Sequence, residues 1–278
     1  MKLLLVKYGR RNLNREYAMT ETPAHFGITA FTASPPYSLH TEYSARPRKL
    51  SPDLVKNFLV LSSSVSGIPR LWVNDDWAIA FAEWLISLIQ SVPPAVVEVH
   101  PPFREDCQDI YQFLGRFDAF ANLFLSHFPS TKIAIENRCG NQRHIPFLVS
   151  SPIECRQLSE YLPATLKLCV DFPQLFTSAC KTHYPSEKEI DEIFTHVEAF
   201  RDSVFSIHLW GRQNGHAHMG DLLSLFQGNK KTMNYFLQRL NAVFEGRALY
   251  LVPEVNSKAE HMENLLDQIE QSGIKIGC

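Results

Sequence analysis

The sequence predicts an α/β chain folded as one (β/α)8 TIM barrel, with an irregular N-terminal third. Three observations predict it: eight short runs rich in Val, Ile and Phe, helix-length amphipathic stretches between the later runs, and ionisable residues near the ends of the last five. Strand, helix, strand in alternation implies a parallel sheet, and eight is the number of strands that closes it.

In chain order, the candidate strands cover residues 2–7, 26–32, 57–64, 95–100, 131–136, 166–171, 203–209 and 248–254. The helical stretches between the later ones are 75–90, where Trp77, Phe81, Leu85 and Leu88 share one stripe, then 106–127, 152–161, 187–200, 230–244 and 258–272. The connections after the first two strands carry little helical pattern, which makes the entry to the barrel irregular. The Pro-rich stretch around Ser34-Pro35-Pro36 and Arg46-Pro47-Arg48 reads as an ordered loop, and no repeat, low-complexity tract or Gly/Ser linker divides the chain. Residues 1–278 are therefore taken as a single domain.

Bulk composition limits the partners. With 278 residues, 45% of them hydrophobic, the chain can bury a large core, and a formal net charge of -2 provides no global positive field for nucleic acid. A local basic groove for DNA stays open. The six cysteines form no C-x-x-C pair, so reduced thiols are expected. The opening apolar run is only four residues and nothing later reaches eighteen, so the expectation is a soluble, cytoplasmic protein with no membrane contact.

Successive side chains on a strand point to opposite faces, so parity shows which residues share the barrel interior. In Val96-Val97-Glu98-Val99-His100, Val97 and Val99 oppose Glu98 and His100. Ile133 and Ile135 oppose Ala134 and Glu136; Leu168 and Val170 oppose Asp171; Ile207 and Leu209 oppose His208; Leu249 and Leu251 oppose Glu254. The apolar set should face the helices, and the ionisable set should converge on the mouth at the carboxyl ends of the strands. A lone strand-end Glu or His is ordinarily a hydrogen-bonding group. Several buried together repel one another, and a divalent cation relieves this because it takes O and N ligands.

At these residues the sequence resembles the xylose-isomerase-like barrel superfamily, which includes endonuclease IV and sugar isomerases and epimerases. The motifs are His100-Pro101, like H-P-G; Ile135-Glu136-Asn137, like E-N; Val170-Asp171-Phe172; Ile207-His208-Leu209; Asn214-Gly215-His216-Ala217-His218-Met219-Gly220-Asp221, like D-R-H-x-x-I-G-E; and Pro253-Glu254. The resemblance spans roughly residues 95–256. It implies that Glu136, Asp171, His208 and Glu254 hold one divalent ion (Mn, Zn or Co). For the three-zinc cluster of the endonucleases it implies further ligands, of which His100 and His216 are present. The histidine expected near the third strand has no counterpart in residues 57–62, the one expected three residues after Asp171 is Gln174, and the Asp of D-R-H is Asn214. One metal is therefore expected, with a second possible. His218 is a further candidate ligand or substrate contact, whereas His40 and the six remaining histidines have no pattern that distinguishes them.

Three functional readings follow. The first is a metal-dependent isomerase or epimerase of a small sugar or polyol. In it Glu136 and Glu254 move the proton through an enediolate, Arg212 meets a phosphate or hydroxyl, and Trp210 and Phe103 wall the sugar. The second is an endonuclease IV-like hydrolase acting at abasic sites in DNA. The third is a catalytically eroded barrel that serves as a binding module.

Overall fold

The structure is a computed structural model, and it describes residues 1–9, 12–25, 28, 31–42, 64–65, 68–139, 147–162, 166–180, 184–213 and 216–277; of Gln213 and His216 only the backbone is described. Eight parallel strands close into a barrel: β1 (Lys2–Lys7), β2 (Met19–His25), β3 (Tyr37–Glu42), β4 (Val96–Val99), β5 (Lys132–Glu136), β6 (Leu166–Asp171), β7 (Val204–Leu209) and β8 (Ala248–Pro253). Closure is the parallel pairing of β8 with β1, Leu3 lying opposite Leu249 and Leu5 opposite Leu251. A short C-terminal strand, Lys275–Gly277, adds a parallel partner beside Lys2–Leu4.

Two expected strands fall elsewhere. The second is Met19–His25 and not 26–32; the third is Tyr37–Glu42 and not 57–64, most of which lies outside the described residues. Both real strands interleave polar with apolar residues, in Met19-Thr20-Glu21-Thr22-Pro23 and Tyr37-Ser38-Leu39-His40-Thr41. Their inward face is polar because it belongs to the mouth, so a search for apolar runs passes over them. The other six strands lie where the runs placed them, to within a residue or so.

Among the described residues there are seven α-helices: α1 (Asp75–Leu88), α2 (Ile110–His127), α3 (Pro152–Tyr161), α4 (Phe172–Ala179), α5 (Glu187–Phe200), α6 (Lys230–Val243) and α7 (Ala259–Glu270). Their starts are set by side chains that accept orphan N–H groups: Asn74, Asp109 and Asn229 cap α1, α2 and α6, and capping boxes of Ser151 with Glu154 and Ser186 with Glu189 open α3 and α5. The connections after β1 and β2 carry no helix among the described residues. No helix among the described residues is long and apolar enough to cross a membrane.

The parity argument holds in three dimensions. Val97, Val99, Ile133, Ile135, Leu168, Val170, Ile207, Leu209, Leu249 and Leu251 all join the core between sheet and helices. Inside the barrel, Val6, Met19, Val96, Ala134, Cys169 and Val252 form a separate apolar layer. Each of these stands two residues before a polar one: Tyr8, Glu21, Glu98, Glu136, Asp171 and Glu254. With a period of two along every strand, the next layer toward the mouth is therefore built of ionisable groups.

Candidate metal centre

Burial makes this layer unusual. Glu21, His40, Glu98, His100, Glu136, Asp171, His208 and Glu254 are all buried, Asp171 and His208 completely. His208 is central. Its Nδ1 lies 3.5 Å from Glu254 Oε1 and 3.7 Å from Glu136 Oε1, and its Nε2 lies 3.1 Å from Glu98 Oε2. Nδ1 has no hydrogen-bond partner among the described residues. A buried ring nitrogen flanked by two carboxylate oxygens and lacking a hydrogen bond is suited to a cation. Donor atoms of Asp171, His208 and Glu254 lie within 4.8 Å of one another, and this O and N donor set fits a divalent ion.

The structure also brings in a residue that the sequence passed over. His40, on β3, places Nε2 3.3 Å from Glu136 Oε2, and His100 places its Nε2 3.1 Å from the same oxygen. The two imidazoles stack with centroids 5.2 Å apart. His40, His100 and Glu136 thus make a second group of donors within 4.8 Å of one another, sharing Glu136 with the first. His40 stands on β3, the strand whose position the apolar runs misplaced. Glu21 completes this side, its Oε1 3.2 Å from His40 Nδ1. Parity within β3 pairs His40 with Glu98 in register, the signal that would have found it.

Asp171 is held differently. It caps α4, accepting from the Gln174 backbone N–H on Oδ1 at 2.8 Å, while Oδ2 accepts from Gln174 Nε2 at 2.9 Å and Trp210 Nε1 at 3.0 Å. The Gln174 carbonyl is occupied by the Cys139 N–H at 2.8 Å, and its amide also reaches Glu136 Oε1 at 3.3 Å. Gln174 is therefore a donor to two carboxylates, with its side-chain oxygen turned to the Cys139 N–H. Asn137 clamps the same strand end, its Oδ1 accepting from Asp171 N at 2.9 Å and its Nδ2 donating to Asp171 O at 3.1 Å.

The electrostatics follow from crowding. Burial raises Asp171 most, the charges of Glu254 and Glu136 raise it further, and its carboxyl is pushed up to about 8. For Glu136 burial acts in the same direction, but the charges of His208 and His100 outweigh it and hold the group well below the ordinary carboxylate range. Glu254 is lowered likewise, chiefly by His208 acting against burial. Burial disfavours the charged form of His208, yet Cys169, Glu136 and Glu254 hold it well above the usual imidazole value. Burial lowers His100.

A cavity of about 110 Å³ is lined by His40, His100, Glu136 and Glu254, and Tyr8, Arg138, Gln174, His218 and Asn256 complete its lining. His218 sits at φ +58, its ring 4.6 Å from that of Trp210 and its Nδ1 3.6 Å from Glu254 Oε2. A non-glycine residue held in the left-handed region beside a buried carboxylate is a mark of functional sites. Trp210 is buried and supports Asp171 and His218. Arg212 lies over the Trp210 ring at 5.5 Å and donates to Thr177 Oγ1. Phe103 is buried against Phe147, centroids 4.5 Å apart. It packs under a loop and does not line the cavity, which corrects its reading as a substrate wall. Asn214 and the side chain of His216 lie outside the described residues.

Among solved structures the chain is similar to a D-tagatose 3-epimerase-like protein, at 12% identity and a TM-score of 0.49 over 93% of this chain and 91% of that one. It is also similar to a xylose isomerase domain protein from Planctomyces limnophilus (12%, TM-score 0.44, 86% and 89%) and a D-allulose 3-epimerase from Methylomonas sp. (11%, TM-score 0.42, 85% and 76%). By name these are of the isomerase and epimerase kind that the motifs resemble. No family model and no curated protein matches the chain.

Proposed function

We propose that the chain is a divalent-metal-dependent isomerase or epimerase that removes and returns a proton next to the carbonyl of a small, hydroxyl-rich substrate. The observation that carries this reading is the placement of His208 Nδ1, without a hydrogen-bond partner among the described residues, between Glu136 and Glu254. Glu136, Asp171, His208 and Glu254 would hold the ion. Bound there, it supplies positive charge that polarises a carbonyl and favours ionisation of the adjacent carbon. Glu136 and Glu254 then serve as the acid and base on opposite sides of the substrate, one taking the proton and the other returning it. Tyr8 and Asn256, which line the cavity, would present a hydroxyl and an amide to substrate oxygens.

A second reading has its own observation. His40 and His100 converge on Glu136 Oε2, so Glu136 would bridge two ions, an arrangement suited to metal-assisted phosphodiester hydrolysis. One experiment separates the two. Protein loaded with manganese, cobalt or zinc is incubated in deuterium oxide with a panel of ketoses, and in parallel with a duplex carrying an abasic site. The first reading expects solvent deuterium next to the carbonyl of one ketose, reduced by roughly 10²–10⁴ in Glu254→Gln. Metal-dependent nicking of the duplex with no exchange into any sugar would replace it with the second.

A further inference from the structure

The barrel interior holds one carboxylate that neither reading uses. Glu98 projects inward from β4, is 2% exposed, and does not line the cavity. Its Oε2 lies 3.1 Å from His208 Nε2, and its Oε1 accepts from Ser206 Oγ at 3.3 Å. The strand below it is fixed as well, because Thr41 Oγ1 donates to the Glu98 carbonyl at 2.7 Å. Both carboxylate oxygens are thus engaged on the far edge of the His208 ring.

We infer that Glu98 is a positioning residue that fixes the tautomer and ring orientation of His208, so that Nδ1 presents its lone pair to a metal ion. A neutral imidazole has one proton to place. With a carboxylate at hydrogen-bond distance from Nε2, the proton sits there, and the lone pair is left on Nδ1. Nδ1 is the atom that faces Glu254 and Glu136. A carboxylate behind a ligating histidine also raises the basicity of the ligand, and loss of such partners typically weakens metal binding 10–100-fold. Glu98, Glu136, Cys169 and His208 do offer donor atoms within 4.8 Å of one another. The positioning role is preferred over direct ligation because Glu98 meets Nε2, the ring nitrogen opposite the one that faces Glu136 and Glu254. Ser206, in turn, holds Glu98 against rotation.

The inference rests on the metal reading above, and its test keeps the two apart. Apparent dissociation constants for zinc and manganese are measured by competition with a chelating dye on the full chain and on Glu98→Ala and Glu98→Gln. Glu98→Ala should bind roughly 10–100-fold more weakly. Glu98→Gln, which keeps the shape and an oxygen to accept the Nε2 proton but no charge, should lose about tenfold. Nitrogen-15 spectra of zinc-loaded wild type should show His208 protonated at Nε2 alone, a signature that a purely structural role would not produce. If either variant folds and binds both metals at wild-type affinity, the inference is overturned; should Glu98→Ala not fold, the near-isosteric Gln variant decides. If wild type itself binds no metal, it is the metal reading that falls, and the role of Glu98 with it.

Discussion

Asn137→Ala should destabilise the fold at the centre of the site by an amount that the hydrogen bonds fix in advance. Asn137 is 1% exposed and bridges from β5 to the last residue of β6, with bonds of 2.9 and 3.1 Å to the backbone N–H and C=O of Asp171. Removing two neutral hydrogen bonds costs about 1 kcal/mol each, and a buried N–H left without an acceptor adds about 1–3 kcal/mol. The expected loss is about 3–5 kcal/mol, which for a chain of this size lowers the melting temperature by roughly 6–20 °C. Urea unfolding of metal-free protein, followed by fluorescence, reads it directly. Asn137→Asp is the partner experiment. It retains an acceptor for the Asp171 N–H, cannot donate to the Asp171 carbonyl, and places a further buried carboxylate beside Glu136 and Asp171, so without metal it should be at least as damaging. A change under about 0.5 kcal/mol in Asn137→Ala would refute the claim that this clamp holds β5 and β6 in register.

The same crowding predicts a pH dependence for metal-free protein. The folded value of Asp171, pushed up to about 8 by burial, Glu254 and Glu136, lies above its ordinary 3.8, so folding favours the protonated form and stability declines as pH rises from about 4 to 8. His208, raised by its carboxylates against burial, acts in the same direction above 6.5, whereas the stability contributed by Glu136 and Glu254 is lost only on acidification below the ordinary 4.5. The urea midpoint in chelator should therefore fall between pH 5 and 8 and recover on adding zinc; a flat profile would contradict the assignment. Trp210→Phe removes the indole N–H that Asp171 Oδ2 accepts at 3.0 Å while keeping the ring against His218. It should cost about 1.5–3 kcal/mol if Asp171 is ionised, as a bond to a charged group does, and under 1 kcal/mol if it is not. Urea unfolding at pH 9 distinguishes the two.

Much of the site was legible because barrel geometry turns parity into position. Glu136, Asp171, His208 and Glu254 each follow an apolar residue that had to face the helices, so their inward direction was forced. His40 and Glu21 were not legible by the same method. Their strands carry the polar layer without a long apolar run, and β3 was displaced in the reading to a later, more hydrophobic stretch. Glu98 was read as inward-facing but not as a partner of His208, because that contact crosses the barrel between strands that are not neighbours in the sheet. Helix α4 was missed because eight residues opening on Phe172-Pro173 give little periodicity; its cap is Asp171 itself. Gln174 looked like an eroded ligand in sequence, and only the direction of its amide shows that it donates to the carboxylates.

The central claim is that the buried carboxylates and imidazoles tolerate one another because a cation sits among them, and metal stoichiometry tests it most directly. Protein stripped with chelator, reloaded with manganese or zinc and freed of excess should retain at least one ion per chain by elemental analysis. His208→Ala should lose that ion, and His40→Ala should remove a second ion if one is present while sparing the first. Wild-type protein that retains no ion after loading with either metal would contradict the account.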